Sequence, residues 1–365
     1  MNIGILGCGN ISGIYLQNLT KLFKNTEVVA VCDLDEQKAR NAAEAYGIPK
    51  VMSFEQMLES QEVDTVLNIT TPAGHYPLSK QALEAGKNVY IEKPLCLTYA
   101  QGKELVALAK EKGLRLGCAP DTFLGAGIHT SIKAVRDGAI GRPIGGFASM
   151  MCHGHESWHP APEFYYDFGG GPLFDMGPYY ITALVRMLGR AKSVFAYGAK
   201  GFEERVITAE GRKGDRIPVK VNTHSVGVIE FENGALITVT MSFDVFNHSI
   251  PCIEIYGTEG SISVPNPNDF WGNVKVDRCW SGWTDVELIN KYTDNSRGIG
   301  LAEMALAESE GRGHNASGEL ALHVLEIMEG FNVSAEEGRK VELESSPGEL
   351  IELDWDTPIG ELKTK

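Results

Sequence analysis

Lys93 follows the apolar run Asn88–Glu92 and precedes Pro94. If that run is a parallel strand, Lys93 lies at its C-terminal end, where ligands gather in open α/β sheets. The proline confines Lys93 to extended backbone and so limits where its ammonium points. A lysine placed there can hydrogen-bond a reacting hydroxyl, stabilise a developing alkoxide or join a proton relay. Asp175 and Tyr179 are four residues apart, on one face of a helix predicted to start around Asp175, and so reach the same small molecule. The segment Cys152-His153-Gly154-His155-Glu156-Ser157-Trp158-His159-Pro160 gathers three imidazoles, a carboxylate and an indole. Two readings are open for it: zinc ligation by His153, His155, His159 and Glu156, or a polar substrate loop in which Trp158 stacks on a ring face. In the second reading His155 and His159 hydrogen-bond substrate, and Tyr165 and Tyr166 extend the wall.

A second chemistry is written near the N-terminus. The run Ile3–Leu6 leads into Gly7-Cys8-Gly9-Asn10-Ile11-Ser12, a Gly-x-Gly-x-x-small turn that opens a helix. Gly7 permits the tight turn, Gly9 lets the backbone approach a pyrophosphate, and a small third residue packs the helix closely on the strand. Phosphate then meets the amides of Asn10 and Ile11 at the helix N-terminus. Asp33 follows the next strand, about 20 residues beyond the turn, where a carboxylate accepts from adenosine ribose hydroxyls. Asp33 and Asp35 leave a 2′-phosphate facing negative charge with no adjacent arginine, which favours NAD over NADP. Asp33 also qualifies as the cap of the helix beginning near Glu36.

The elements that must hold these groups are legible in outline. Ile3–Leu6, Val28–Cys32, Thr65–Ile69, Asn88–Glu92 and Arg115–Cys118 are predicted strands. Between them fall amphipathic helices such as Pro77–Ala85, stopped by Gly86, and Tyr99–Lys112, stopped by Gly113. Alternating strands and helices imply a doubly wound parallel sheet, an α/β domain over residues 1–120. From residue 121 to 365 the pattern changes: a helix over Gly127–Asp137, a turn at Gly138–Gly145, then the histidine-rich passage. The segments Val226–Glu232, Leu236–Phe243, Cys252–Tyr256 and Ser261–Val264 alternate as strands, with Asn233-Gly234 a hairpin signal between the first two. A large, mostly antiparallel sheet is expected there, followed by a helix over Gly318–Gly330.

Bulk properties narrow the function classes. With 33 basic and 48 acidic residues the formal charge is -15, which opposes nonspecific nucleic-acid or anionic-membrane binding and points to a small-molecule partner. The 365 residues exceed what one core usually accommodates, in line with two domains. Seven cysteines without a C-x-x-C pair suit a reducing compartment, and those beside strands read as small hydrophobes. The start of the chain has no basic, apolar leader pattern and no long apolar stretch follows, so a cytoplasmic location is expected.

Three further blocks, Thr70-Thr71-Pro72-x-x-His75, Glu92-Lys93-Pro94, and Gly169-Gly170-Gly171 leading to Asp175-x-Gly177, make the chain resemble the glucose-fructose oxidoreductase, inositol dehydrogenase and MocA (Gfo/Idh/MocA) family. The resemblance spans nearly the whole chain. It implies a Rossmann domain and a C-terminal α/β domain with an open sheet, a nicotinamide cofactor, and substrates that are sugars, cyclitols or related polyols. It places Thr70, Thr71, Pro72, His75 and Glu92 with Lys93 along the cofactor, and Asp121 at the end of the last Rossmann strand against nicotinamide or substrate. The family most often carries histidine where Tyr179 stands and aspartate where Thr182 stands; members with tyrosine use it for proton transfer. Lys93, Tyr179 and Asp175 are therefore the expected catalytic set, with Tyr179 the acid/base, and the same three with Asp121, His155, Trp158 and His159 bind substrate. Because the hydride chemistry implied needs no metal, the histidine loop is expected to serve substrate. Arg297 either reaches the cleft or ties the C-terminal segment to it. The resemblance also implies a homo-oligomer, dimer or tetramer. Two other outcomes stay open: a glycosidase that retains NAD and oxidises transiently, and a nucleotide-sensing regulator without turnover.

Overall fold

The computed structural model describes residues 1–365, which fall into two compact units. The first comprises Met1–Ala126, Ile289–Leu325 and Pro347–Lys365; the second comprises Gly127–Leu288 and Glu326–Ser346. The chain thus does not divide at a single point near residue 120, because two C-terminal segments join the first unit.

The first unit is built on β1 (Asn2–Leu6), α1 (Ser12–Lys21), β2 (Glu27–Cys32), α2 (Glu36–Tyr46), β3 (Lys50–Val51), α3 (Phe54–Glu59), β4 (Thr65–Asn68), α4 (Pro72–Glu84), β5 (Asn88–Ile91), α5 (Tyr99–Lys112) and β6 (Leu116–Cys118). The sheet is parallel in the order β3-β2-β1-β4-β5-β6, with Ile3, Ile5, Val66, Leu67, Val89 and Ile91 buried along its central strands. That order reverses between β1 and β4, the switch point at which the glycine turn and the β4 loop both end. The two-residue β3 is too short to register as an apolar run. Helix α4 begins five residues before the expected start: Pro72, not Pro77, takes the first turn, where a missing N–H is harmless, and Pro77 is carried inside. His75 therefore lies within the helix.

The second unit contains α6 (Ala126–Arg136), β7 (Pro143–Met151), α7 (Gly171–Leu188), β8 (Ala191–Ala199), β9 (Glu204–Val206), β10 (Arg216–Pro218), β11 (His224–Phe231), β12 (Leu236–Ser242), β13 (Ile253–Gly257), β14 (Gly260–Val264), β15 (Val274–Arg278) and β16 (Thr284–Val286). The last elements of the chain are α8 (Ile299–Glu310), α9 (Gly318–Glu337) and β17 (Val341–Glu342). Nine strands form a mixed, mainly antiparallel sheet in the order β16-β15-β14-β13-β7-β12-β11-β8-β17, with β7 and β12 its one parallel pair. The central β7 starts inside the expected turn Gly138–Gly145 and continues through residues expected to be irregular; Gly145 and Gly146, which read as a break, both pair within the strand. Helix α7 packs on β7, β11 and β12, and its run Tyr179–Leu188 is buried throughout. No helix is long and apolar enough to cross a membrane.

Candidate functional site

In the first unit the glycine turn has the form a dinucleotide requires. Gly7 has φ 108°, and a Cβ there would lie 2.9 Å from the Ile69 carbonyl oxygen. Above Gly9 the space is open, with no atom within 4 Å of where a Cβ would be. Gly9, Asn10 and Ile11 are exposed, and no side chain caps the start of α1, so its first amides are available to an anion. Asp33 accepts from the Cys8 amide at 2.7 Å and from the Asp35 amide at 2.8 Å, which fixes the carboxylate beside the turn. The cap of α2 is Asp35, not Asp33, with its side chain accepting from the Gln37 amide. Burial, with help from Asp33 and Cys32, pushes the Cys8 thiol up to about 11, the behaviour of a packing group rather than a nucleophile.

Around Lys93 the local structure is fastened from behind. Glu92 accepts from the buried Tyr15 hydroxyl at 2.7 Å and from the Lys93 amide at 2.9 Å. Burial, reinforced by the Glu92 charge, holds the Tyr15 phenol well above its ordinary range, so it stays a donor. The Lys93-Pro94 peptide is cis. His75, expected along the cofactor, is instead only 1% exposed: Nδ1 lies 2.7 Å from the Pro94 carbonyl oxygen and Nε2 lies 3.2 Å from that of Thr70. Burial lowers its pKa despite the two carbonyls, so the neutral ring donates through Nδ1 to Pro94. His75 thus pins the residue after Lys93, because α4 starts early and turns this ring inward. The Thr70 hydroxyl donates to Asn68 at 2.7 Å, while Thr71 and Pro72 begin α4.

Asp121 also departs from expectation. It is 1% exposed; Oδ2 accepts from the amides of Gly298 and Gly300 at 2.8 and 3.0 Å, capping α8, while Oδ1 is buried without a hydrogen-bond partner. Burial raises its pKa from an ordinary 3.8 to about 6, against the pull of those amides and of Arg297. Helix α8 has apolar residues on every side from Ile299 to Ala307, so it shows no amphipathic signal and its need for a cap was not visible.

The second unit gathers the other candidates. Asp175 and Tyr179 occupy successive turns of α7, and His155 comes from the loop after β7 to place Nε2 3.2 Å from the Asp175 carboxylate. Their side chains are 14% and 15% exposed. The His155 ring is walled by Tyr165, Phe243 and Trp158, with centroids 4.1, 4.7 and 5.3 Å away. Trp158 is 61% exposed, and His159 packs among Trp158, Phe164 and Tyr165. Burial and neighbouring His155 lower the His159 pKa, keeping it neutral. His153 points elsewhere, stacked on Phe246 at 3.6 Å, and Glu156 pairs with Arg205, so the would-be metal ligands face different partners.

Arg205 is the residue that sequence reading missed. Its side chain is 3% exposed and binds Glu156, Asp244 at 2.9 Å, the His153 carbonyl at 2.9 Å and the Phe243 carbonyl at 3.0 Å. Burial pulls its pKa down, but Glu156, Tyr166 and Asp244 outweigh this and the net shift is upward. The Glu156 carbonyl is taken in turn by the amides of Thr208 and Ala209. Gly154 has φ 76°, and a Cβ there would run into Glu156 Oε2, Tyr166 Oη and Arg205 Nη2. Of the neighbours of His155, Glu156 is thus held through Arg205, while Gly154 has no room for a side chain. Tyr166 belongs to this buried cluster, 5.6 Å from the guanidinium, and not to the wall expected beside Tyr165. In sequence Arg205 sits in Glu203-Glu204-Arg205-Val206, indistinguishable from a solvated charge run.

Residues 1–119 match the oxidoreductase family model for an NAD-binding Rossmann fold of GFO_IDH_MocA, and residues 128–263 match that for the GFO/IDH/MocA C-terminal domain. A dTDP-3,4-didehydro-2,6-dideoxy-alpha-D-glucose 3-reductase of Streptomyces violaceoruber is 33% identical over 194 residues, 52% of this chain and 55% of that protein. The chain thus spans about half the length of that relative. D-glucoside 3-dehydrogenase of Escherichia coli (strain K12) is 25% identical over 94% of this chain and 97% of its own. Levoglucosan dehydrogenase, solved in complex with NADH and L-sorbose, shares the fold with a TM-score of 0.81 at 20% identity, covering 94% of this chain and 99% of that one.

Proposed function

The chain belongs to the Gfo/Idh/MocA oxidoreductase family, and on that premise we propose that it transfers a hydride between a nicotinamide dinucleotide and a secondary alcohol of a sugar, cyclitol or related polyol. The observation that carries this reading is the paired provision of an open glycine turn with Asp33 in one unit and of the Asp175, His155 and Trp158 cluster in the other. When bound, the dinucleotide accepts or gives the hydride; the remaining work belongs to the protein. Gly9, Asn10 and Ile11 offer amides to the pyrophosphate, and Asp33 takes the ribose hydroxyls. Asp33 and Asp35 disfavour a 2′-phosphate, so NAD is preferred to NADP. Lys93, held by Glu92 and Pro94, donates to the reacting hydroxyl and stabilises the alkoxide as it forms. Asp175 and Tyr179 bind the polyol and handle its proton, a role the resemblance gives to Tyr179, while Trp158 stacks on the ring and His155 and His159 bind hydroxyls. The relatives named above act on glucose-derived rings, which supports the substrate class.

The outer face of the nine-stranded sheet displays Phe195, Tyr197, Val228 and Leu236, an apolar surface suited to a second copy of this chain. A dimer or tetramer is the proposed state. The reading is tested with a panel of sugars and inositols against NAD and NADP, following absorbance of the reduced cofactor. At least one polyol is expected to reduce NAD, with Lys93→Met losing that turnover while still binding NAD. Near-native turnover by Lys93→Met would refute the proposed centre.

A further inference from the structure

Tyr15 follows Ile11 by four positions, so the helix α1 whose first amides face the glycine turn carries this ring one turn further in. The ring is fully buried, and its hydroxyl donates to Glu92 Oε1 at 2.7 Å. The other carboxylate oxygen, Oε2, accepts from the Lys93 amide at 2.9 Å, and Glu92 itself is only 8% exposed. A continuous line of hydrogen bonds thus runs from α1 through a buried carboxylate to the backbone of Lys93. On the other side His75 holds the Pro94 carbonyl at 2.7 Å. Helix α1 is tied down in turn, with Asn18 Nδ2 donating to the carbonyls of Asn295 and Arg297 at 2.8 and 2.9 Å. Packing does not account for the pair. Phenylalanine would fill the Tyr15 site equally well, and burying a phenol against a carboxylate costs free energy that an apolar pair would not. Burial, with the charges of Glu92 and then Asp121, holds the Tyr15 phenol in its protonated, donating form. A carboxylate with one donor on α1 and the other on the Lys93 amide fixes the spacing of two elements.

We infer that Tyr15 is a positioning residue for Lys93: through Glu92 it aligns the lysine with the helix whose N-terminus receives the dinucleotide pyrophosphate. This rests on the polyol dehydrogenase reading. Tyr15 touches neither substrate nor cofactor in this role, and it moves no proton. Without its hydroxyl Glu92 Oε1 loses its donor, the carboxylate is free to turn, and the Lys93 amide held by Oε2 moves with it. The amides of Gly9, Asn10 and Ile11 precede Tyr15 in the chain and do not depend on its hydroxyl. The loss therefore falls on how the ammonium meets the reacting hydroxyl, and not on how tightly the dinucleotide binds.

The test compares Tyr15→Phe, Glu92→Met and the double variant in the full-length protein, with NAD and a polyol turned over by the wild type. Tyr15→Phe is expected to lose about 10- to 100-fold in kcat, the scale of a misplacement of about 1 Å at a reacting centre. Its KM for the polyol and its calorimetric NAD affinity should stay within about threefold. Glu92→Met should lose at least as much, and the double variant no more than about threefold beyond the poorer single one, since both cut the same line. Glu92→Gln can still pair with both the Tyr15 hydroxyl and the Lys93 amide, and should keep more activity than Glu92→Met. An unchanged kcat with only a lower thermal midpoint overturns the proposal. So does NAD affinity that falls in step with kcat, or losses that multiply in the double variant. A second readout needs no turnover: after reductive ¹³C-methylation of the lysines, the Lys93 NMR signal is assigned by its absence in Lys93→Met. Tyr15→Phe should shift and broaden that signal while the other lysines keep theirs, and an unmoved Lys93 signal overturns the proposal. Should Tyr15→Phe not fold, Glu92→Met carries the same kinetic and NMR expectations. If no polyol in the panel is oxidised, the functional reading fails by itself, and the link from Tyr15 to Lys93 stands or falls on the NMR.

Discussion

Removing Arg205 should cost about 5 kcal/mol of stability. In Arg205→Met the alkyl stem is largely replaced, so the cavity contribution is small and the loss is electrostatic. The guanidinium stands between Glu156 and Asp244, whose side chains are 7% and 11% exposed, and is itself 3% exposed. Breaking a pair buried to this degree costs about 3–5 kcal/mol, because a charge is left in low dielectric without its counterion. The carbonyls of His153 and Phe243 also lose their donor, at roughly 1–3 kcal/mol each if water cannot reach them. These losses overlap, so about 5 kcal/mol is expected in all, against a typical domain stability of about 5–15 kcal/mol. Urea unfolding followed by circular dichroism at pH 7.5 measures it. Arg205→Lys keeps the charge but cannot reach four acceptors at once, and should fall between wild type and Arg205→Met. The cause is checked by adding Glu156→Gln and Asp244→Asn to Arg205→Met. Removing the orphaned charges should recover at least half of the loss. A deficit below about 1 kcal/mol, or a triple variant no more stable than Arg205→Met, would show that the cluster does not hold this loop as argued.

Asp121 supplies a pH-dependent counterpart. Its pKa is raised from 3.8 to about 6, so between those values the native state binds more protons than the unfolded chain and stability falls as pH rises. Two units at about 1.4 kcal/mol each give roughly 3 kcal/mol. The stability of Asp121→Asn relative to wild type should therefore grow by about that amount from pH 4 to 6.5, and parallel curves would refute the assignment. His75→Phe should lower kcat about tenfold or more, because the anchor on the Pro94 carbonyl next to Lys93 is lost, while NAD affinity measured calorimetrically stays within about twofold. A matching loss of NAD affinity would return His75 to the cofactor. Gly154→Ala should destabilise the second unit by about 1–3 kcal/mol in the same urea assay, since it meets both an unfavourable φ and the Glu156, Tyr166 and Arg205 cluster.

Much of the first unit was legible because its signals are local. A Gly-x-Gly turn after a short apolar run, an acid after the next strand and glycine stops after helices each act within a few residues. The alternation of strands and helices implied a parallel, doubly wound sheet, and the first unit has one. Where local signals compete, the reading slipped: two prolines both suit a helix start in α4, and Gly145-Gly146 resembles a turn although neighbouring strands pair with it on both sides.

The sequence alone shows which side chains are of a type that could do chemistry, but not their allegiances. His75 and Asp121 carry the groups of ligand-binding residues, yet both are buried, one against the Pro94 carbonyl and one with Oδ2 on the start of α8. His155 and Asp175 carry no mark of pairing, and Arg205 reads as a surface charge. Type and spacing specify what a side chain can do over one or two turns of chain. Burial and the choice of a partner 20 to 50 positions away depend on how the chain folds back, and those decide which polar groups are satisfied inside and which remain for a ligand.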